Sequence, residues 1–134
     1  MPIQIHKHAR LHRDLFDGTR ILITRYWLRG ISRASVDEWR PELAPSKALL
    51  GRALDFWKGD PSEEESIAFS AIWQQAYEAE MLTQAEMITD LAHRHIEGET
   101  LTLLCSCHSQ THCHRQYLTD MILHTAETIL EYAE

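Results

Sequence analysis

Between Cys105 and Arg115 the chain gathers three thiols, three imidazoles and one guanidinium within eleven residues. These are Cys105, Cys107, His108, His112, Cys113, His114 and Arg115. A nucleophile, a group that titrates near neutrality and a fixed cation so close together are the parts of a catalytic or binding site. Two chemistries are open to them. Cys113, flanked by His112 and His114, has the surroundings of a thiol with a depressed pKa, and Cys105 is a second nucleophile candidate. Alternatively, Cys105, Cys107, His108, His112 and Cys113 are ligands of the kind that hold tetrahedral zinc, although their spacing matches no standard zinc-finger pattern. The bland alternative for Cys113 is a small buried residue at a helix start. No cofactor is expected unless the zinc reading holds.

The flanking sequence predicts how this cluster is held. Leu101, Leu103 and Leu104 with Thr100 and Thr102 form a short, nearly continuous apolar run after Gly98. Such a run fits a strand buried on both faces of a parallel sheet. From Arg115 onward, Tyr117, Leu118, Met121, Ile122, Ala126, Ile129 and Leu130 recur at helical spacing. The cluster is therefore a loop between a strand and a helix. In open α/β sheets, anions collect at that junction, where unpaired N–H groups and the helix dipole favour negative charge.

A second basic group stands at the end of another predicted strand, Arg20 to Arg25. It comprises Arg25, Tyr26, Trp27, Arg29 and Gly30. Guanidinium forks bind phosphate or carboxylate in a bidentate way, so Arg25 and Arg29 are a candidate anion clamp. The competing assignment packs Trp27 and Tyr26 onto the core and leaves both arginines exposed. If the two strands are parallel neighbours, Arg25 and Arg29 converge with Cys105, Cys113, His114 and Arg115 on one sheet edge.

The remaining elements follow from local signals. Ile3 and Ile5 alternate with polar residues as in a short strand, Asp17-Gly18 reads as a turn, and Ser35 to Trp39 reads as a helical turn. Ser46 caps a helix carrying Leu49, Leu50, Ala53, Leu54 and Trp57, which Gly59 closes. Asp60-Pro61-Ser62-Glu63 predicts the next start, with Asp60 as cap and Glu63 completing a capping box. Phe69, Trp73 and Tyr77 share one face of that helix, and the Tyr77 hydroxyl needs a partner if buried. A further helix runs from about Thr83 to His95. Of the other histidines, His6, His8 and His12 are expected to be exposed, His93 and His95 to close a helix, and His124 to lie too far along the last helix to be a ligand.

A chain of 134 residues that is 44% hydrophobic supports one core, so residues 1–134 are expected to form one domain. No apolar run approaches the roughly 20 residues of a helical membrane span, and the basic start lacks a signal-peptide apolar region. Three clustered cysteines make a poor disulfide framework and suit a reducing compartment, so the cytoplasm is expected. Net charge is −7 but uneven, with +5 on residues 1–58 and −12 on residues 59–134. Arg94 and Arg115 are the only lysine or arginine residues after Lys58, which argues that Arg115 has a purpose beyond surface charge. The basic first half could touch a nucleic-acid backbone or serve a regulatory partner, but a pI near 5.7 argues against strong non-specific binding.

Several of these motifs, in this order, resemble domain of unknown function (DUF) family 488, a group of small bacterial proteins, over nearly the whole chain. Arg25-Tyr26-Trp27-Leu28-Arg29-Gly30 matches the family's Arg-x-Trp-x-Arg-Gly loop. Trp39 with Leu43-Ala44-Pro45-Ser46 matches a Trp followed by Leu-Ala-Pro-Ser. Asp60-Pro61, then Trp73, Tyr77 and Glu80, match an Asp-Pro before a helix with an aromatic, a Tyr and a Glu. Leu103-Leu104-Cys105 and Cys113-His114-Arg115 match the family's closing motif. The chain departs at Thr24, Leu28 and Gly59, where the family often has Asp, Pro and His, and at Cys107, where an acidic residue is usual. The resemblance implies an α/β fold and a shared pocket, with no settled activity. Together the observations predict a single-domain three-layer sandwich, Rossmann-like, with a mainly parallel central sheet flanked by helices. The expected ligand is a small-molecule anion such as a nucleotide, bound by Arg25, Trp27, Arg29, Gly30, Ser46, Tyr77 and Arg115, with Cys113, His114 and Cys105 as catalytic candidates.

Overall fold

In the computed structural model, residues 17–105 and 114–132 are described in full and residues 4–8 as backbone. Four strands, β1 (Gln4–His8), β2 (Thr19–Leu22), β3 (Glu38–Trp39) and β4 (Leu101–Cys105), form one sheet in the order β1-β4-β2-β3. Every pairing is parallel, so β4, last in the chain, lies between the first two strands. All five residues of β4 are buried, as its continuous apolar run predicts for a strand covered on both faces.

Strand alternation divides the side chains between two layers. Ile21, Ile23, Leu101, Leu103 and Cys105 face the main core. That core is completed by α1 (Lys47–Lys58), α2 (Glu63–Met81), α3 (Ala85–Ile96) and α4 (His114–Tyr132). Leu22 and Leu104 face the other way and are covered by Trp27, Leu28, Ile31 and Val36. The expected α/β fold with a parallel sheet is thus observed. Among the described residues, the layer on the second face is made of the 24–36 segment and its 3-10 turn at Arg33–Ser35. No helix of the described residues is long and apolar enough to cross a membrane.

Two local expectations are corrected. Ser35 to Trp39 is not a helical turn: Glu38 and Trp39 pair with Ile21 and Leu22 as an edge strand. Arg40 N–H, just past β3, donates to the Leu22 carbonyl at 2.8 Å. An unpaired β2 edge imposes this extended conformation, which no local periodicity encodes. The start of α2 also lies two residues later than Asp60-Pro61 suggests. Asp60 has φ +50°, so the chain turns there before the helix, and the cap is Ser62. Its hydroxyl accepts from Glu65 N–H at 3.1 Å, and the Glu65 carboxylate accepts from Ser62 N–H at 3.0 Å. This reciprocal box satisfies two donors that an α-helix start leaves open.

The amino end of the sheet is closed by ionic contacts. Arg94, in the last turn of α3, donates to Glu38 at 2.7 Å and to Glu99 at 3.0 Å. Glu99 also accepts from the Thr19 hydroxyl at 2.8 Å. Arg20 is wholly buried against Asp17, and its Nε donates to the Ser35 carbonyl at 2.7 Å. Gly18 precedes β2 at φ +63°, and a Cβ there would overlap the Thr100 carbonyl. These contacts fix the starts of β2, β3 and β4, and hence where the same strands end.

Candidate functional site at the carboxyl ends of the strands

β2 and β4 are parallel neighbours, with Leu22 opposite Leu104 and Ile23 N–H bonded to the Leu104 carbonyl at 2.9 Å. The two chemistry-bearing segments, 24–30 and the start of α4, therefore leave from the same end of the sheet. The condition on which their convergence rested is met for the described residues.

His114, the first residue of α4, joins them directly. Its Nε2 lies 2.9 Å from the Ile23 carbonyl, one residue past β2. A carbonyl only accepts, so Nε2 carries the proton and the neutral ring presents Nδ1 as its acceptor. Burial pushes the His114 pKa below the ordinary imidazole value, and the nearby Arg115 charge acts in the same direction. Cys105 and the Ile23 carbonyl oppose both. His114 is only 5% exposed, so the uncharged ring is the form that suits its surroundings.

Tyr77 packs its ring edge-on to His114, with centroids 5.7 Å apart. Its hydroxyl, fully buried, donates to the Leu43 carbonyl at 2.6 Å. One turn back along α2, Trp73 stacks on Tyr77 at 5.8 Å and donates to the Leu49 carbonyl at 2.9 Å. Glu80 receives both the backbone N–H and the hydroxyl of Ser46. Positions 73, 77 and 80 lie on one helical face and together pin residues 43–49. Ser46 also caps α1, accepting from Leu49 N–H at 3.1 Å, as its position before the apolar periodicity predicts.

From the other side, Arg25 Nε donates to the Pro45 carbonyl at 2.9 Å. Trp39 Nε1 donates to the Thr24 carbonyl at 2.8 Å, and its ring meets Trp27 edge-on at 5.6 Å. Trp27 Nε1 in turn bonds the Ile31 carbonyl at 3.0 Å, across the turn where Gly30 takes φ +84°. Arg25, Ser46, Tyr77, Cys105 and His114 thus form one connected group around the strand ends. Trp27 packs over Leu22 and Leu104, the assignment that competed with a direct ligand contact. Arg29 and Tyr26 are exposed.

Arg115 is 2% exposed, the second residue of α4. Cys105 is wholly buried. Cys107, His108, His112 and Cys113 lie outside the described residues. Among the described residues no three His, Cys, Asp or Glu side chains are grouped to hold a metal ion. Of the remaining histidines, His93 and His95 sit in the last turn of α3, and His124 is exposed on α4. Sequence reasoning missed the ionic group of Arg94, Glu38 and Glu99 and the part played by Glu80. The three-residue step from Tyr77 to Glu80 on a helix is the one local signal that pointed to the latter.

Comparison with known proteins agrees with this picture. A family model described as "Active DUF488-N3 subclade" matches residues 3–126. An uncharacterized protein, YeaO of Escherichia coli (strain K12), is 30% identical over 115 residues, covering 79% of this chain and 84% of that relative. No solved structure matches.

Proposed function

The chain belongs to the DUF488 family, and from that premise we propose that it binds, and acts on, a phosphate-bearing small molecule such as a nucleotide at the carboxyl ends of β2 and β4. The observation that carries this reading is the position of Arg115. A guanidinium buried in the first turn of α4 sits at the positive end of the helix dipole, where a cation is disfavoured and an anion is favoured. An anion bound there offsets both charges. Arg25, two residues past the neighbouring strand's last core position, Ile23, is held toward the same end by Pro45. Arg29 follows four residues later on an exposed turn. The matching subclade is described as active, which supports a working site. The cytoplasm, rich in phosphate esters and reducing toward thiols, is the compartment this reading favours.

The test is a thermal-shift and calorimetric screen of inorganic phosphate and of nucleoside mono- and triphosphates against the parent chain and an Arg115→Met variant. A ligand present at a hundred times its Kd stabilises the parent by about 2.7 kcal/mol. The expected result is stabilisation of the parent that weakens with salt and is lost in the variant. No stabilisation of the parent by any of these compounds, or equal stabilisation of both proteins, refutes the proposal.

A further inference from the structure

Among the described residues, Arg25 is tied down at one nitrogen only. Its Nε donates to the Pro45 carbonyl at 2.9 Å, and neither terminal nitrogen has a hydrogen-bond or carboxylate partner there. Arg20, Arg40 and Arg94 differ, since each is paired with a carboxylate. With Nε engaged, a guanidinium keeps its end-on edge, Nη1 and Nη2, for two oxygens of one anion. We propose that Glu80 is the positioning residue for this edge: acting through Ser46 and Pro45, it sets the direction in which Arg25 offers its fork to a phosphoryl group. The proposal deepens the reading above and rests on its anion site.

Two anchors fix the 43–46 corner to α2. Tyr77 donates to the Leu43 carbonyl at 2.6 Å, and Glu80, three residues on, receives the Ser46 N–H at 2.8 Å and the Ser46 hydroxyl at 2.5 Å. Pro45 lies between these anchors and has no N–H of its own by which to be held. Its carbonyl, the one that orients Arg25, is therefore placed by its neighbours. A carboxylate suits the task because it accepts both Ser46 protons, while the Ser46 oxygen still accepts from Leu49 N–H at 3.1 Å to cap α1.

The same contacts place Arg25 relative to α4. From Ile23 the chain runs two residues to Arg25, crosses to Pro45, and goes back two residues to Leu43. From there it crosses to Tyr77, meets the His114 ring at 5.7 Å and closes on the Ile23 carbonyl at 2.9 Å. Any slide of the corner moves Arg25 against the first turn of α4, where Arg115 is buried. Glu80 stands outside this circuit and holds the corner at its far end. Bidentate recognition depends on angle as well as charge, so loosening that hold weakens anion binding without removing a group that touches the anion.

The test uses the full chain, with inorganic phosphate and adenosine triphosphate as probes in calorimetry well below the unfolding transition. Variants are Arg25→Lys, Glu80→Gln and the two combined. Lysine keeps the charge and loses the fork, whereas glutamine keeps one acceptor and loses the other. The Kd should rise about ten- to a hundredfold in Arg25→Lys, as for lost hydrogen bonds to a charged group. In Glu80→Gln it should rise about three- to thirtyfold. With Arg25→Lys already in place, Glu80→Gln should add less than about twofold. Equal weakening by Glu80→Gln in both backgrounds, which a merely structural role gives, overturns the proposal. So does an unchanged affinity in Glu80→Gln. The Arg25 Nε–H, assigned by its loss from nitrogen-resolved proton spectra in Arg25→Lys, should exchange with solvent faster in Glu80→Gln than in the parent, and equal exchange also overturns the proposal. Should Glu80→Gln not fold, Ser46→Ala, which removes the hydroxyl bonded to Glu80, takes its place under the same criteria. If neither probe binds the parent, the anion site and this inference fall together. Binding that Arg115→Met abolishes and Arg25→Lys leaves intact overturns this inference alone.

Discussion

Replacing Tyr77 by Phe removes one oxygen and leaves the ring in place, so it isolates the hydroxyl that ties α2 to the 43–46 segment. Stacking on Trp73 at 5.8 Å and the edge contact with His114 at 5.7 Å survive the change. What is lost is a 2.6 Å hydrogen bond from a fully buried hydroxyl to the carbonyl of a fully buried residue, Leu43. The bond alone is worth about 0.5–1.5 kcal/mol net, but stranding the buried carbonyl raises the cost to about 1–3 kcal/mol. For a chain of this length that corresponds to a fall in Tm of about 3–15 °C. Urea denaturation should show a lower midpoint with an unchanged slope, because the surface exposed on unfolding is the same. The effect should also couple to Glu80→Gln, since Tyr77 and Glu80 hold the same four-residue segment. A double-mutant cycle should give an interaction energy above about 0.5 kcal/mol. A loss below about 0.5 kcal/mol, or strict additivity with Glu80→Gln, refutes the claim that this segment is pinned from α2.

Three further outcomes follow from the amino end of the sheet. Arg94→Met should cost about 1.5–3 kcal/mol in chemical denaturation, as hydrogen bonds to charged groups do, because Glu38 and Glu99 lose the cation they share. The Arg94 hydrogen bond holds both carboxyls below the ordinary value of 4.5, against the opposing effect of burial. Their contribution is therefore fully present above pH 4.5 and lost as pH falls through the lower folded-state values. Acid titration of stability should show that loss in the parent and less of it in Arg94→Met. Asp17→Asn breaks a pair in which both groups are buried, and denaturation should show a loss of about 3–5 kcal/mol, a loss under about 1 kcal/mol refuting it. Gly18→Ala forces a Cβ into a left-handed conformation against Thr100, and thermal unfolding should register more than about 1 kcal/mol.

What the sequence made legible is what local pattern controls. The Leu101 to Leu104 run and the periodicity after Arg115 sufficed for β4 and α4, because burial on two faces and an amphipathic stripe each leave a mark in consecutive residues. β3 left none, since its two residues are extended only because β2 offers an edge. The α2 start was ambiguous because Asp60 and Ser62 are both good caps, and the left-handed turn at Asp60 that decides between them has no signature in residue type. At the site, residue chemistry was visible and partnership was not. No pattern along the chain pairs His114 with the Ile23 carbonyl, 91 residues away, or Tyr77 with the His114 ring. Arg94 likewise carried no local sign of its two carboxylates, which come from β3 and from Glu99, two residues before β4.

The two ends of the sheet are held by different chemistry, and the difference bears on function. At the amino end carboxylates and guanidiniums pair. At the carboxyl end six side chains donate to backbone carbonyls instead: His114 to Ile23, Trp39 to Thr24, Arg25 to Pro45, Tyr77 to Leu43, Trp73 to Leu49 and Trp27 to Ile31. Irregular backbone leaving a sheet has carbonyls with no ladder partner, and each needs a donor when buried. Ring N–H groups, a phenol and one guanidinium supply those donors without bringing in negative charge. A lock built of carboxylates there would repel an incoming anion, and the one carboxylate in this network, Glu80, is turned onto the Ser46 N–H and hydroxyl. Among the described residues, stability at this end is thereby obtained without carboxylates facing Arg25, Arg29 and Arg115, which is what the proposed anion site would require.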